Sequence, residues 1–266
     1  MTLRQAQGPA TPTERTLPSW LRFVAPVVVG VLMVALWTLY VQSGAAPRML
    51  PGPAAIGAEL VLRREIIVED MAVTATNALI GLVVGTLLGV VLAAFAAAAR
   101  PVDGMLTPLV AALAVIPIVA ITPILNTMFG ASSQFGRQAV ATIAAFIPVF
   151  VNVLRGLRQT RPVHRDVLRA TAATSSQTFR LLTLPTALPY LMTGLRIAAS
   201  LAVIAALVAE YFGGPADGIG TAIATYAKSG RAALAWAYVV GGIVIGLVFF
   251  LVTSLLERVV TRHSSV

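Results

Sequence analysis

The sequence predicts an all-α polytopic membrane protein with about six transmembrane helices. Three observations carry that reading. Apolar residues make up 58% of the 266 and charged residues only 11%, where soluble domains carry about 25% charge. The apolar residues gather into runs of about 20, the length of helix that crosses a bilayer core. The basic residues gather in short loops between those runs and favour one side, as membrane topology requires. The net charge of +9 therefore reads as a topology signal and a contact with anionic lipid, not as a nucleic-acid interface. The absence of cysteine excludes disulfides, thiol nucleophiles and thiolate-held metals.

In chain order, residues 1–20 are rich in Pro, Thr and Gln and read as a disordered cytoplasmic tail. Phe23 to Val41 is the first span, retained because no small-x-small cleavage pattern follows it. Ile56 to Asp70 carries six charges and is expected as a short amphipathic helix in the membrane interface. Met71 to Ala99 has no charge and forms the second span. Its Gly81, Gly85 and Gly89 recur every four residues, a spacing that lets another helix approach closely.

Met105 to Phe129 is the third span, interrupted by Pro108, Pro117 and Pro123. Proline there frees backbone carbonyls, which protein or a water-filled pathway must satisfy. Ala139 to Leu154, with Pro148 and Asn152, is the fourth span. Tyr190 to Val208 is the fifth, with Arg196 snorkelling or paired near one end. A Gly-rich connection from Glu210 to Arg231 follows, with a short helix over Ile219–Tyr226. Glu210, at a span end, is expected to be a solvated rim acid. Trp236 to Leu256 is the sixth span. Residues 21–260 thus form one transmembrane domain, with 261–266 as a second cytoplasmic tail. Of the 19 Lys and Arg, this layout puts only Arg48, Arg63, Arg64, Arg137, Lys228 and Arg231 outside, so both termini face the cytoplasm.

The stretch that organises the chain is the loop 156–189. It carries Arg158, Arg161, Arg165, Arg169 and Arg180 against one acid, Asp166, so it projects into water. Pro162 suits the first turn of a helix, with Val163, Val167 and Thr171 on one face and Arg165 and Arg169 on another. Thr174-Ser175-Ser176-Gln177 has the spacing of a capping box and starts a second helix. Leu184-Pro185 and then Pro189 mark a bend before the fifth span. A helix, a turn and a second short helix on the water side make a docking surface; a positive-inside loop with incidental helices is the other reading.

No nucleotide-binding G-x-x-x-x-G-K-[ST] loop and no G-x-S-x-G elbow occurs in the sequence. His164 and His263 have no second ligand at metal spacing, and no span holds paired carboxylates. The chain is therefore not expected to be an enzyme, nor to hold a metal or cofactor. An energised function would need a partner.

The loop and its surroundings resemble the permease subunits of bacterial binding-protein-dependent ABC importers. In that family an acid-Ala-Ala triplet, a glycine and a later Leu-Pro mark the cytoplasmic coupling helices, which fit a groove on the ATPase. Here Asp166-Val167-Leu168 stands at the triplet, Ala172 at the glycine and Leu184-Pro185 at the Leu-Pro. Leu50-Pro51-Gly52-Pro53, Val115-Ile116-Pro117 with Phe129-Gly130, Ala145-Phe146-Ile147-Pro148, and Ala209-Glu210 with Gly218-Ile219-Gly220 resemble further family stretches. The resemblance covers about residues 48 to 260. The triplet is degenerate, and alanine resists the positive φ that glycine permits by about 1–2 kcal/mol. Either the turn differs in shape or the ATPase is a dedicated one.

The resemblance implies the type I ABC importer permease fold in a bacterial inner membrane. The implied partners are ABC ATPase subunits, which would hold ATP and Mg, an extracytoplasmic solute-binding protein, a second copy or paralogue, and the bilayer. Implied coupling residues are Arg165, Asp166, Arg169, Ala170, Ala172, Ala173, Ser176, Leu184 and Pro185. Pro117, Asn126, Phe146 and Asn152 are candidates for the pathway. The subgroup suggested imports nitrate, sulfonates, taurine or pyrimidine precursors of thiamine. An ATPase-independent secondary transporter is the alternative, and a structural scaffold of an unrelated complex is a further one.

Overall fold

The computed structural model describes residues 21–130 and 132–262, and their regular structure is helical. The expected tail of residues 1–20, and residues 263–266 of the other, lie outside that range. The chain divides into two compact units between Pro53 and Ala54. The first holds α1 (Leu21–Gln42), a 22-residue helix whose Val27, Val31, Met33 and Leu36 are exposed, as lipid-facing side chains are.

The second unit contains α2 (Pro53–Leu62) from its second residue on, α3 (Arg64–Ala98), α4 (Arg100–Val115), α5 (Ile118–Phe129) and α6 (Phe135–Arg158). The loop follows as α7 (Pro162–Ala170), α8 (Ser175–Thr178) and a π-helical turn, Phe179–Thr183. Then come α9 (Leu184–Tyr211), α10 (Ile219–Lys228) and α11 (Ala232–Arg262). Five helical runs are long and apolar enough to span a membrane, and the bent pair α4–α5 makes up to six.

Three sequence expectations need correction. The interfacial helix over Ile56–Asp70 is two helices. Arg63, with φ −116° and ψ 22°, separates α2 from α3. The second half of the segment is drawn into the bundle, where Ile67 is 2% exposed and Asp70 meets a backbone N–H of the α9–α10 connection. The third span is not one rod. α4 and α5 meet at 97°, because Ile116 (ψ 122°) and Pro117 (ψ 116°) are both extended, the conformation proline imposes on the residue before it. Pro108 and Pro123 stay inside their helices. Finally, Leu184-Pro185 does not interrupt the helix. The helix runs without a gap from Ser175 to Tyr211. A π turn absorbs the proline: the Leu184 N–H donates to the Phe179 carbonyl, five residues back, and the extra residue relaxes the turn into which the ring would clash.

The core is α3, α6 and α9, packed side by side. The glycine repeat of α3 faces α6. A Cβ at Gly81 would collide with Ala141, one at Gly85 would lie 2.6 Å from the Thr142 carbonyl oxygen, and one at Gly89 2.8 Å from Val149 Cγ1. On α9, Ala198, Ala199, Ala202, Ala205, Ala206 and Ala209 are all buried. Lipid tails are as apolar as leucine, so helix association in a bilayer relies on such close backbone approach. Replacing Gly85 with leucine should destabilise the fold by about 1–3 kcal/mol, the usual range for overpacking. Gly246, with nothing within 4 Å of its Cβ position, should tolerate alanine. Thermal unfolding of the detergent-solubilised protein reads the difference.

Candidate functional site

Three features stand out among the described residues: the loop at one end of the bundle, a groove along its side and a polar network at the far end.

The loop is a defined structure. Pro162 sits in the first turn of α7. Thr171 caps α7, Ala172 follows at φ 55°, and the chain reverses. The Ala173 N–H donates to the Leu168 carbonyl at 2.9 Å and the Ala172 N–H to that of Arg169 at 3.0 Å. These are the two bonds of a Schellman stop, in which glycine ordinarily holds the left-handed position. Ala172 takes it here and is the non-glycine residue found at positive φ among the described residues. The turn therefore has the shape glycine would give, at a steric cost. α8 begins at the expected capping box: Thr174 Oγ1 accepts the Gln177 N–H at 3.3 Å, and Gln177 Oε1 accepts the Thr174 N–H at 2.8 Å.

Arg165, Arg169 and Ala173 line a cleft of ≈ 370 Å³ between α7 and α8, with Ser175 and Phe179 on the opposite wall. Asp166 pairs with Arg169 at 3.6 Å, both largely exposed. Ala170, Ala172, Ser176, Leu184 and Pro185 are exposed around the cleft. Val163 and Val167 of α7 are 69% and 59% exposed, an apolar face left uncovered by the described residues.

The groove runs along α6, between the α4–α5 break and α9. Its middle, ≈ 540 Å³, is lined by Ile118, Ile147, Pro148, Asn152, Leu201 and Val208, among others. It continues toward the loop into a space of ≈ 410 Å³ past Thr107, Arg155 and Arg158, and Ala114, Ile147 and Val151 border both parts. No charged residue lines the middle part. Asn152 supplies its side-chain amide, whose Nδ2 donates to the Pro148 carbonyl at 2.7 Å. The amino end of α5, beside Ile118 and Val119, has no side-chain cap.

Of the four pathway candidates, Asn152 lines this groove and Pro117 is the hinge residue at its edge. Phe146 is 9% exposed with its backbone against Gly85 of α3, away from the groove. Asn126 lies at the far end, with Nδ2 3.5 Å from the Ala209 carbonyl.

The far-end network escaped the sequence reading. Arg137 is fully buried. Its guanidinium donates to Asp217 Oδ1 at 2.6 Å, to the Pro215 carbonyl at 2.6 Å, to Thr221 Oγ1 at 3.0 Å and to Gln134 Oε1 at 3.1 Å. Asn77 joins Gln134 and Gln138 at 3.0 and 3.1 Å. Glu210 is 1% exposed, so the expected solvated rim acid is a correction. α10 packs over the end of α9, and Glu210 Oε2 accepts from Thr74 Oγ1 at 2.8 Å and from the Gly220 N–H at 3.0 Å. The available signal was polar spacing at helical intervals: Asp70, Thr74 and Asn77 on α3, and Gln134 just before α6 with Arg137 and Gln138 in its first turn. Arg196, expected to be snorkelling or paired, is paired, at 3.0 Å from Glu257 of α11.

Comparison with known proteins fits this architecture. Residues 71–265 match the profile of the binding-protein-dependent transport system inner membrane component. The formylaminopyrimidine transport permease protein ThiX of Halalkalibacterium halodurans is 31% identical over 189 residues, covering 71% of this chain and 75% of that one. The putative aliphatic sulfonates transport permease protein SsuC of Bacillus subtilis is 26% identical over 193 residues, 71% and 69% of the two chains. A solved amino acid ABC transporter superposes with a TM-score of 0.61 at 16% identity, over 75% of this chain and 96% of that one, and shares the fold. The chain belongs to the family of binding-protein-dependent transport system inner membrane components: it is the permease subunit of an ABC importer.

Proposed function

We propose that the loop 156–189 faces the cytoplasm, with both chain termini, and receives an ABC ATPase that holds ATP and Mg. The observation that carries this reading is the α7–α8 element. It is rigidly terminated and capped, yet it leaves Val163 and Val167 bare beside the Arg165–Arg169 cleft. An apolar ridge flanked by cations suits a groove with an apolar floor and acidic rim. α8 continues through the π turn into α9, so a push on the loop reaches the wall of the groove directly. A second copy or close relative would close the groove into a pathway, and an extracytoplasmic binding protein would deliver solute at the far end. ATP binding then shifts the pair between inward and outward openings.

The solute we propose is a neutral, planar, hydrogen-bonding heterocycle, of the kind named for the 31% identical relative, rather than a sulfonate. The middle of the groove is apolar and has no cation. A sulfonate would leave water there without a counter-charge, at a cost of several kcal/mol. An aminopyrimidine needs only donors and acceptors, which Asn152 and the uncapped end of α5 supply.

Three outcomes are expected. Val163→Asp with Val167→Asp should abolish co-purification of the ATPase while membrane insertion is unchanged; retained binding refutes the docking face. Ala172→Gly should relieve about 1 kcal/mol of strain and slow protease nicking between α7 and α8. In proteoliposomes carrying the whole complex, Asn152→Leu should slow aminopyrimidine uptake about three- to tenfold, the worth of one neutral hydrogen bond. Unchanged uptake, or faster uptake of an alkanesulfonate by the unaltered complex, removes the substrate assignment.

A further inference from the structure

α10 is a ten-residue helix that lacks an amino-terminal cap of its own, since Gly218 precedes it. Its first N–H groups are instead capped from elsewhere in the chain. Gly218 N–H donates to Asp70 Oδ1 at 2.9 Å, Ile219 N–H to Thr74 Oγ1 at 2.9 Å and Gly220 N–H to Glu210 Oε2 at 3.0 Å. Two carboxylates thus stand at the positive end of the α10 dipole, one from α3 and one from α9. The fit leaves no slack. A Cβ at Gly220 would overlap the Leu207 carbonyl, and one at Gly218, which sits at φ +84°, would lie 2.6 Å from the Glu210 carboxyl carbon.

Arg137 completes the arrangement from α6. Its four acceptors include three groups of the α9–α10 connection and α10: Pro215, Asp217 and Thr221. Gln134 bridges from Arg137 to Asn77 of α3. Four helices therefore meet in one polar cluster at the end opposite the loop, with Arg137, Glu210, Thr74 and Asn77 buried and the Asp217 side chain 40% exposed. Separating any of them would strand a charge or a backbone N–H out of water, the most costly event available in this setting.

Resting on the importer reading above, we infer that Arg137 and Glu210 are positioning residues for transport. They bind the far ends of α3, α6, α9 and α10 into one body that does not open during the cycle. The change of shape then falls on segments outside the cluster: the extended pair Ile116–Pro117, where α4 and α5 meet at 97°, and the π turn Phe179–Thr183. A loose far end would let the groove change shape without the ATPase, so loss of either residue uncouples ATP hydrolysis from uptake.

The test uses the complete complex of permease, ATPase and binding protein in proteoliposomes. Arg137→Gln and Glu210→Leu should lower solute moved per ATP by about tenfold or more, since each takes a hydrogen-bond partner from polar groups on other segments of the chain, with ATP hydrolysis retained. Glu210→Gln keeps an acceptor oxygen for Thr74 and Gly220 and should restore coupling, which general destabilisation would not do. Full coupling in Arg137→Gln overturns the inference. A second measurement does not depend on those variants folding. The chain has no cysteine, so Glu69→Cys on α3 and Lys228→Cys on α10, both exposed, take spin labels selectively. With labelled chains diluted into unlabelled ones, the distance between the labels should be the same without nucleotide and with bound ATP. A change of distance between the two states refutes the single body while leaving ATP-driven uptake intact. Absence of ATP-driven uptake in the unaltered complex overturns the importer reading as well.

Discussion

Arg137 is a guanidinium with no exposed surface, and hydrocarbon offers it no hydrogen bonds. Everything at its end of the bundle follows from satisfying it. The connection between α9 and α10 must fold so that the Pro215 carbonyl and Asp217 reach it, which needs Gly213 and Gly214 at positive φ. With the connection in place, α10 lies over the end of α9 and buries Glu210. That carboxylate in turn takes up the free N–H of Gly220 and the hydroxyl of Thr74. Charge, loop and helix position thus answer one requirement, that a polar group inside a membrane protein needs partners within the chain; Arg137 Nε and Glu210 Oε1 are the atoms of this cluster that it leaves unpaired among the described residues.

The rest of the core obeys the complementary rule. Where no polar groups meet, the helices hold together by closeness, and closeness requires the absence of side chains. Gly81, Gly85 and Gly89 on α3 and the alanines of α9 let both helices lie against α6 at backbone distance. A polar cluster at one end and a glycine seam along the length hold the triad of α3, α6 and α9 together. The irregular backbone lies outside that seam: the extended residues between α4 and α5, the π turn before α9 and the left-handed Ala172. The first borders the groove, and the other two belong to the loop and its junction with α9. These positions lie at the loop and the groove, the two surfaces to which we assign docking and passage.

Much of this was legible in the sequence because it is local. The spans follow from apolar run length. The two-helix loop follows from Pro162 and the Thr174–Gln177 box, which fix dihedrals and hydrogen bonds within a few residues. The glycine repeat announced a close-packed face, although not that α6 would be its partner. Pro117 and Pro185 illustrate the limit. Proline identifies a disturbed helix, but the surroundings settled the outcome, a 97° break at one and a π turn in a continuous rod at the other.

The sequence by itself determined the class of protein, the number of spans within one, the two-helix loop and the family motifs, since each depends on composition or on neighbours in the chain. Only the tertiary structure decided that Glu210 and Arg137 are buried, that Asp70 belongs to the bundle and not to the interface, and that Asn152 lines the groove while Phe146 is buried with its backbone against α3. The reason is physical. An acid at a helix end looks the same in sequence whether water or a helix ten residues further on satisfies it, and the difference exists only once distant segments meet.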